Sequence, residues 1–449
     1  MKRVVVLGGG ESGVGAALLA KAKGFETFLS DSGMLKENNI SDLRNAMIDF
    51  EQGGHTEEKI VDADLVVKSP GIPDKAPIIK RLHELNKKII SEIEFAYPYS
   101  KAKHICITGS NGKTTTTLLT HHLLMSAGKS ASLAGNVGFS LARQVISDDQ
   151  PDYFVIELSS FQLDGMYDFK ADIAILNNIT PDHLDRYEYK FENYIRSKFR
   201  ILQNQTKSDL FIANADDPVT KEWLPCMSVT GSMAKVSMNG ADGAVTKIDE
   251  LGHVFVTVPG LPELKIDPEK MTIHGRHNIY NAMQACVAAL KVGLSAEDIT
   301  KGLATFKNAS HRLELVATIN DVEWVDDSKA TNIDSAWYAL DAQKRPIVWI
   351  AGGTDKGNDY NTLMSLVESK VKALVCLGVD NHKLLETYTG HIETIVETRS
   401  MADCVRECNR LAKSGDVVLL SPCCASFDLF TSYVNRGNLF KEEVLKLNK

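Results

Sequence analysis

The segment Thr108-Gly109-Ser110-Asn111-Gly112-Lys113-Thr114-Thr115-Thr116 sets a glycine turn, a lysine and several hydroxyls between the apolar run HICI and a helix-like stretch. That order suits a phosphate loop, in which Lys113 neutralises the β and γ phosphates of a nucleotide and the Thr114 hydroxyl ligates magnesium. One position departs from the standard pattern, because Ile107 stands where a glycine is usual, five residues before Gly112. A second glycine series, Gly8-x-Gly10-x-x-Gly13, follows a strand-like run and opens a helix, with Asp31 ending the next strand. Alone it reads as a dinucleotide fingerprint with Asp31 on a ribose hydroxyl. Its geometry says only that amides at a helix N-terminus face an anion, so any diphosphate ligand suits it, and a tight turn needing small residues is the plainer alternative.

Glu157 closes the run YFVIE, at a carboxyl end where ligands of open parallel sheets collect, and its carboxylate suits a second metal shared with the nucleotide. His183 and Asp185 lie in NNITPDHLDRY just beyond another apolar run. Either one alone reads as loop capping or surface solvation; beside a phosphate loop both become ligand candidates. Lys198, in YIRSKFRIL, reads from its own surroundings as a solvated helix lysine.

These residues need rigid strand ends to hold them. The chain repeats a short β-branched run, a turn and a helical pattern, which is how a parallel sheet with helices on both faces is written. The rhythm occurs in three blocks: RVVVLG, FETFLSD and ADLVVKSPGI with the amphipathic APIIKRLHELNKK; KHICITG, DYFVIELSS, ADIAILNNI and DLFIANADDP; then RPIVWIAGG, KALVCLG and DVVLLSP. Between the second and third blocks, residues 234–266 alternate polar and apolar positions around Gly, Asp and Asn, which predicts an antiparallel insert. The helical HNIYNAMQACVAALKVG and SAEDITKGLATF then lead to a boundary near Asn308. The expected fold is α/β in three domains: a Rossmann-like domain over 1–96, a P-loop-type domain with the insert over 97–308, and a second Rossmann-like domain over 309–449.

A chain of 449 residues exceeds what one core usually organises, in keeping with several domains. Its net charge of -8 argues against generic affinity for nucleic acid or an anionic membrane, and no apolar run approaches the roughly 18 residues a bilayer span needs. The start, MKRVVVLGGG, is too short in apolar residues and too rich in glycine for a signal peptide, so a cytoplasmic location is expected. Eight cysteines without zinc spacing read as reduced core thiols.

Taken in order, TGSNGKTTT, NITPDHLDRY, NADDP, HGRHNIYNAMQA, SHRLE, DDSKATN and LLSPCCASFDLF resemble the Mur ligases of bacterial cell-wall synthesis over almost the whole chain. The resemblance explains both anomalies, since that family has a shortened phosphate loop and a Rossmann-like first domain that binds a uridine diphosphate. It implies an ATP-dependent amide ligase of peptidoglycan precursor synthesis, acting through an acyl phosphate, with UDP-N-acetylmuramoyl-L-alanine and D-glutamate as substrates. ATP and two Mg2+ are the implied cofactors, and a monomer is expected. Gly109, Ser110, Asn111, Gly112, Lys113, Thr114 and Thr115 would hold the nucleotide with Asn281, Arg312 and Asp327. Thr114, Glu157, His183 and Lys198 would form the metal sites, Lys198 as a carbamate. Lys113, His183, Lys198 and Lys329 would be catalytic. Ser12, Asp31, Ser32 and Asn136 would contact the UDP substrate, and Thr331, Lys356, Ser426, Phe427 and Tyr433 the D-glutamate. Gly33 stands where relatives can carry an arginine, and Tyr433 where a phenylalanine can occur.

Overall fold

The computed structural model describes residues 2–355 and 357–447. The chain forms two compact units, Met1–Thr272 with Tyr280–Phe306 and Ile273–Ile279 with Lys307–Lys449.

The first unit contains three sheets. Strands β1 (Arg3–Leu7), β2 (Glu26–Asp31), β3 (Asp49–Gln52), β4 (Leu65–Lys68) and β5 (Ile89–Ile90) pair in parallel in the order β3-β2-β1-β4-β5. Val4–Leu7 are fully buried, as a central parallel strand covered on both faces requires. The helix Glu11–Ala22 packs close to β1 because Gly13 lacks a side chain: a Cβ there would stand 1.8 Å from the carbonyl oxygen of Gly8.

The second sheet comprises β6 (Lys103–Thr108), β7 (Ala131–Gly135), β8 (Tyr153–Glu157), β9 (Ile173–Leu176), β10 (Leu210–Asn214) and β11 (Ser232–Val236), ordered β11-β10-β9-β6-β8-β7 and parallel throughout. Here the structure corrects the expected insert, because 234–236 belong to β11 and extend the parallel sheet by pairing with β10. Only β12 (Thr246–Ile248), β13 (Val254–Val256) and β14 (Leu264–Ile266) make the small antiparallel sheet. An edge strand of a parallel sheet and a strand of a meander share the same alternation, so the partner is not written locally.

Polar contacts join the first two sheets. Arg143 Nε and the Ser140 amide donate to Glu11 Oε1 at 3.0 and 3.2 Å, and the amides of Asp168 and Phe169 donate to the Glu94 carboxylate at 2.8 and 3.0 Å. The buried Glu92 accepts from the amide of Ala142, and burial pushes its carboxyl up to about 8.

In the second unit, β15 (Glu314–Ile319), β16 (Val322–Asp326), β17 (Ile347–Gly352), β18 (Val371–Leu377), β19 (Thr394–Thr398) and β20 (Val417–Cys423) are ordered β15-β16-β20-β17-β18-β19. The sheet is parallel except for the β15–β16 hairpin, which the strand–helix rhythm did not announce. Among the described residues, no helix is long and apolar enough to cross a membrane. Seven cysteines are buried, but Cys226 is exposed and departs from the expected core thiols.

Candidate active site

The phosphate-loop segment joins β6 to the helix Lys113–Ser126. Gly112 is the N-cap of that helix, with φ 82°, a left-handed conformation. Glycine is required there for space as well, because a Cβ would meet Asn281 Oδ1 at 2.5 Å and Asn177 Nδ2 at 2.9 Å. Asn281 is buried behind the loop, where its Oδ1 accepts from Thr116 Oγ1 and Asn177 Nδ2 at 3.1 and 2.9 Å. From the end of β9, Asn178 Oδ1 accepts from the Asn111 amide at 2.9 Å, and Ser110 Oγ donates to the Thr180 carbonyl at 2.8 Å. Asn177, Asn178 and Thr180 thus fix the loop's shape, and no sequence reading singled them out. Their signal is weak: adjacent amide side chains at a strand end have many uses.

Lys113 Nζ donates to the carbonyls of Gly109 and Ser110, both at 2.8 Å. Thr114 and Thr115 are buried in the first turn of the helix. Lys198 overturns the solvated-lysine reading: it is 2% exposed, and its Nζ donates to Gly109 O at 2.8 Å while lying 5.0 Å from the centre of the Tyr194 ring. Burial, reinforced by the Lys113 charge, holds its amine well below the ordinary lysine range, against the pull of Asp182, Glu157 and Asp164. Its helix, Phe191–Phe199, buries Tyr194, Ile195, Ser197, Lys198 and Phe199, so the lysine sits on the inward face.

Glu157 ends β8 and is also buried. Its Oε1 accepts from Asn136 Nδ2 at 2.7 Å, whereas its Oε2 is buried without a hydrogen-bond partner among the described residues. A buried, acceptor-only oxygen of this kind fits a cation. The Thr114 hydroxyl and the Glu157 carboxylate suit magnesium as donors; Lys198 fits only if its nitrogen stops being an ammonium. His183 lies on the adjoining loop, exposed, with φ 52° and its ring edge-on to Phe161 at 5.1 Å. Asp185 is exposed two residues further on.

In the first sheet, the Gly8–Gly13 series forms a different cradle. Asp31 Oδ2 accepts from the Gly9 amide and its Oδ1 from the Gly33 amide at 2.7 Å, so the carboxylate organises the loop itself. Ser12 is half-buried, Ser32 is exposed, and a Cβ added at Gly10 would meet nothing within 4 Å.

In the second unit, Asp327 lies one residue past β16, where its Oδ1 accepts from the Leu313 amide at 3.2 Å and its Oδ2 from Ser421 Oγ at 3.0 Å. Burial pushes its carboxyl up to about 7 although Arg312 and Ser421 act the other way. Lys329 Nζ stands 5.4 Å from the centre of the Tyr433 ring, and the Thr331 amide donates to the Lys329 carbonyl. Ser426 is buried and Phe427 is 73% exposed. Lys356 lies outside the described residues. Arg436 escaped the sequence reading. It is 1% exposed, and it donates to Ser328 Oγ and O, both at 2.9 Å, and to Cys424 O at 3.1 Å, joining the DDSKATN and SPCCASF segments. Burial pushes its guanidinium down to about 10. His311, Glu314 and Asp326 also converge within 4.8 Å, but Lys441 Nζ, 2.6 Å from Glu314 and 4.0 Å from Asp326, already supplies a cation there.

A glycine loop with lysine, a cation-ready carboxylate and a buried lysine on one parallel sheet define a nucleotide-dependent enzyme, and family comparison sharpens the class. Residues 3–78 match the MurD N-terminal domain, 107–289 the Mur ligase middle domain, and 311–424 the Mur ligase glutamate ligase domain. The chain belongs to the Mur ligase family. The UDP-N-acetylmuramoylalanine--D-glutamate ligase of Cytophaga hutchinsonii is 51% identical across 99% of either chain. The enzyme of that name from Bacteroides fragilis is 50% identical across 100% of both chains. A solved UDP-N-acetylmuramate-alanine ligase from Thermotoga maritima shares the fold, with a TM-score of 0.62 at 18% identity over the full length of both chains.

Proposed function

We propose that this protein joins D-glutamate to UDP-N-acetylmuramoyl-L-alanine at the expense of ATP, in the cytoplasm and as a monomer, supplying the peptidoglycan precursor on which cell shape and division depend. A carboxylate is a poor electrophile toward an amine because oxide would have to leave. Transfer of the γ phosphate to the alanyl carboxylate gives an acyl phosphate; the amine of D-glutamate then attacks the carbonyl carbon, phosphate departs, and the amide forms with loss of the amine's proton.

Two anions must meet in the first step, and the phosphate loop answers that difficulty. Lys113, with the amides of Gly109 to Thr115, would hold the phosphates, and the Asn281 side chain, set behind Gly112, would keep the loop in shape. Thr114 and Glu157, with His183, would hold the magnesium ions, which supply charge compensation when bound. An ammonium at Lys198 about 4 Å from a divalent cation would be repelled by roughly 8 kcal/mol at an effective dielectric of 20. Its lowered amine basicity favours the free base, which adds to carbon dioxide and releases a proton, giving a carbamate that reverses the sign. Arg312 and Asp327 would serve the nucleotide. Lys329, Thr331, Lys356, Ser426, Phe427 and Tyr433 would receive the amino acid, and Ser12, Asp31, Ser32 and Asn136 the UDP substrate. The division of labour is then 1–96 for the UDP substrate, 97–308 for ATP and 309–449 for D-glutamate.

The observation that carries this reading is the burial of Lys198 against the carbonyl of Gly109, beside a carboxylate with a partnerless oxygen, in a chain half identical to named D-glutamate ligases. The test is phosphate release from ATP and magnesium with UDP-N-acetylmuramoyl-L-alanine and D-glutamate, L-glutamate or no amino acid. Release confined to D-glutamate, with a product heavier by one glutamyl residue, is expected. Release indifferent to both substrates would sink the reading. Growth of a carbamate signal in labelled bicarbonate, lost in Lys198→Met, tests the modification.

A further inference from the structure

Arg186 sits three residues beyond His183 and reaches out of the second sheet's loops toward the first sheet. Its guanidinium donates to three consecutive backbone carbonyls, those of Pro70 (3.3 Å), Gly71 (3.5 Å) and Ile72 (3.2 Å). None of its partners among the described residues is a carboxylate. The same group stacks 4.2 Å over the ring of Phe161, whose edge neighbour is His183. The Arg186 amide in turn donates to the His183 carbonyl at 2.9 Å. On the other side, the loop it grips begins at Ser69, whose Oγ donates to Gly8 O at 3.4 Å and whose amide donates to Leu7 O at 2.9 Å. A Cβ at Gly8 would lie 2.6 Å from Ser69 Oγ, so the two loops are in contact. One side chain therefore spans from the His183 loop to the glycine cradle of the first sheet.

We propose that Arg186 is a positioning residue that lets the diphosphate end of the substrate orient its reacting carboxylate. The inference rests on the reading above, in which residues 1–96 bind the UDP substrate and His183 belongs to the metal site where the carboxylate is phosphorylated; it adds that the Gly8–Gly13 cradle takes the diphosphate. Binding energy from the remote UDP group accelerates chemistry only if the cradle and the reacting centre keep a fixed separation. Three carbonyl acceptors on one planar guanidinium fix both distance and orientation, which a flexible single-point contact would not.

The experiment compares two substrates in the whole enzyme: UDP-N-acetylmuramoyl-L-alanine, and N-acetylmuramoyl-L-alanine lacking the diphosphate and uridine. For Arg186→Met, kcat/KM for the full substrate should fall about 100-fold, the cost of misplacing a reacting group by about an ångström. With the truncated substrate kcat/KM should stay within about threefold of the wild type, and the KM for ATP should not move. Arg186→Lys keeps the packing and one donor; it should lose less, with the same selectivity for the full substrate. Equal losses with both substrates in either variant, or no loss with the full one, would overturn the proposal. A wild-type enzyme that uses neither substrate would instead refute the ligase reading.

Discussion

The molecule carries two glycine loops at the ends of central parallel strands, and they are built differently. The loop after β1 is open: the Asp31 carboxylate, from the end of β2, takes the amides of Gly9 and Gly33, and space remains over Gly10. The loop after β6 is crowded. Asn177, Asn178 and Thr180 shape it, Lys113 folds onto it, Lys198 is buried against it, and Gly112 has no room for one more carbon. On the reading proposed above, the first would hold a ligand that is not altered, and the second would set Lys113 where charge must move. The sequence fingerprint Gly-x-Gly-x-x-Gly and the lysine loop both announce phosphate, and only their surroundings say which phosphate reacts.

The largest test of that contrast is Lys113→Ala, which should lower turnover by about two orders of magnitude or more, as lost charge-stabilising donors do, while the KM for the UDP substrate changes little. Steady-state kinetics on a variant with a normal unfolding curve would decide it, and near-normal turnover would remove Lys113 from the chemistry. Next, adding one methyl to each loop should separate them. Gly112→Ala should lose roughly 1–3 kcal/mol in denaturant unfolding, because φ is positive there and Asn281 stands in the way. Gly10→Ala should unfold like the wild type and raise the KM for the UDP substrate on the order of tenfold, about 1.4 kcal/mol of lost backbone approach. If both variants behaved alike, the distinction between the loops would collapse.

A separate test, of pH dependence, concerns the seam between the two sheets. Glu92 has its carboxyl raised from an ordinary 4.5 to about 8 by burial, so the folded state favours the neutral form. Its contribution to stability is full below pH 4.5 and is lost as pH rises toward 8, because the unfolded chain ionises first. The melting temperature should decline across that window, and Glu92→Gln should flatten the decline. A pH profile identical to the wild type's would show that Glu92 titrates normally.

Much of this was legible. Residues 108–114 and the β-branched runs before each turn carry local signals, and their strands formed where expected. What stayed hidden depends on partners that leave no trace in the nearby sequence. Arg186 and Arg436 bond to backbone carbonyls, which every residue offers. Lys198 looks like any helix lysine until Tyr194 and Gly109 close over it. Strand β11 carries the alternation of a meander and pairs with β10 instead. Family resemblance marked Lys198 where local reading would have dismissed it, and marked neither arginine.

The helix Lys113–Ser126 follows a glycine N-cap and begins with a lysine and four threonines. β-Branched residues and a cation at a positive helix end are each unfavourable there. A phosphate bound there would offset both. Nucleotide at a hundred times its dissociation constant would add about 2.7 kcal/mol to the folded state, so the protein's resistance to unfolding and proteolysis would rise and fall with the energy charge of the cell that makes it.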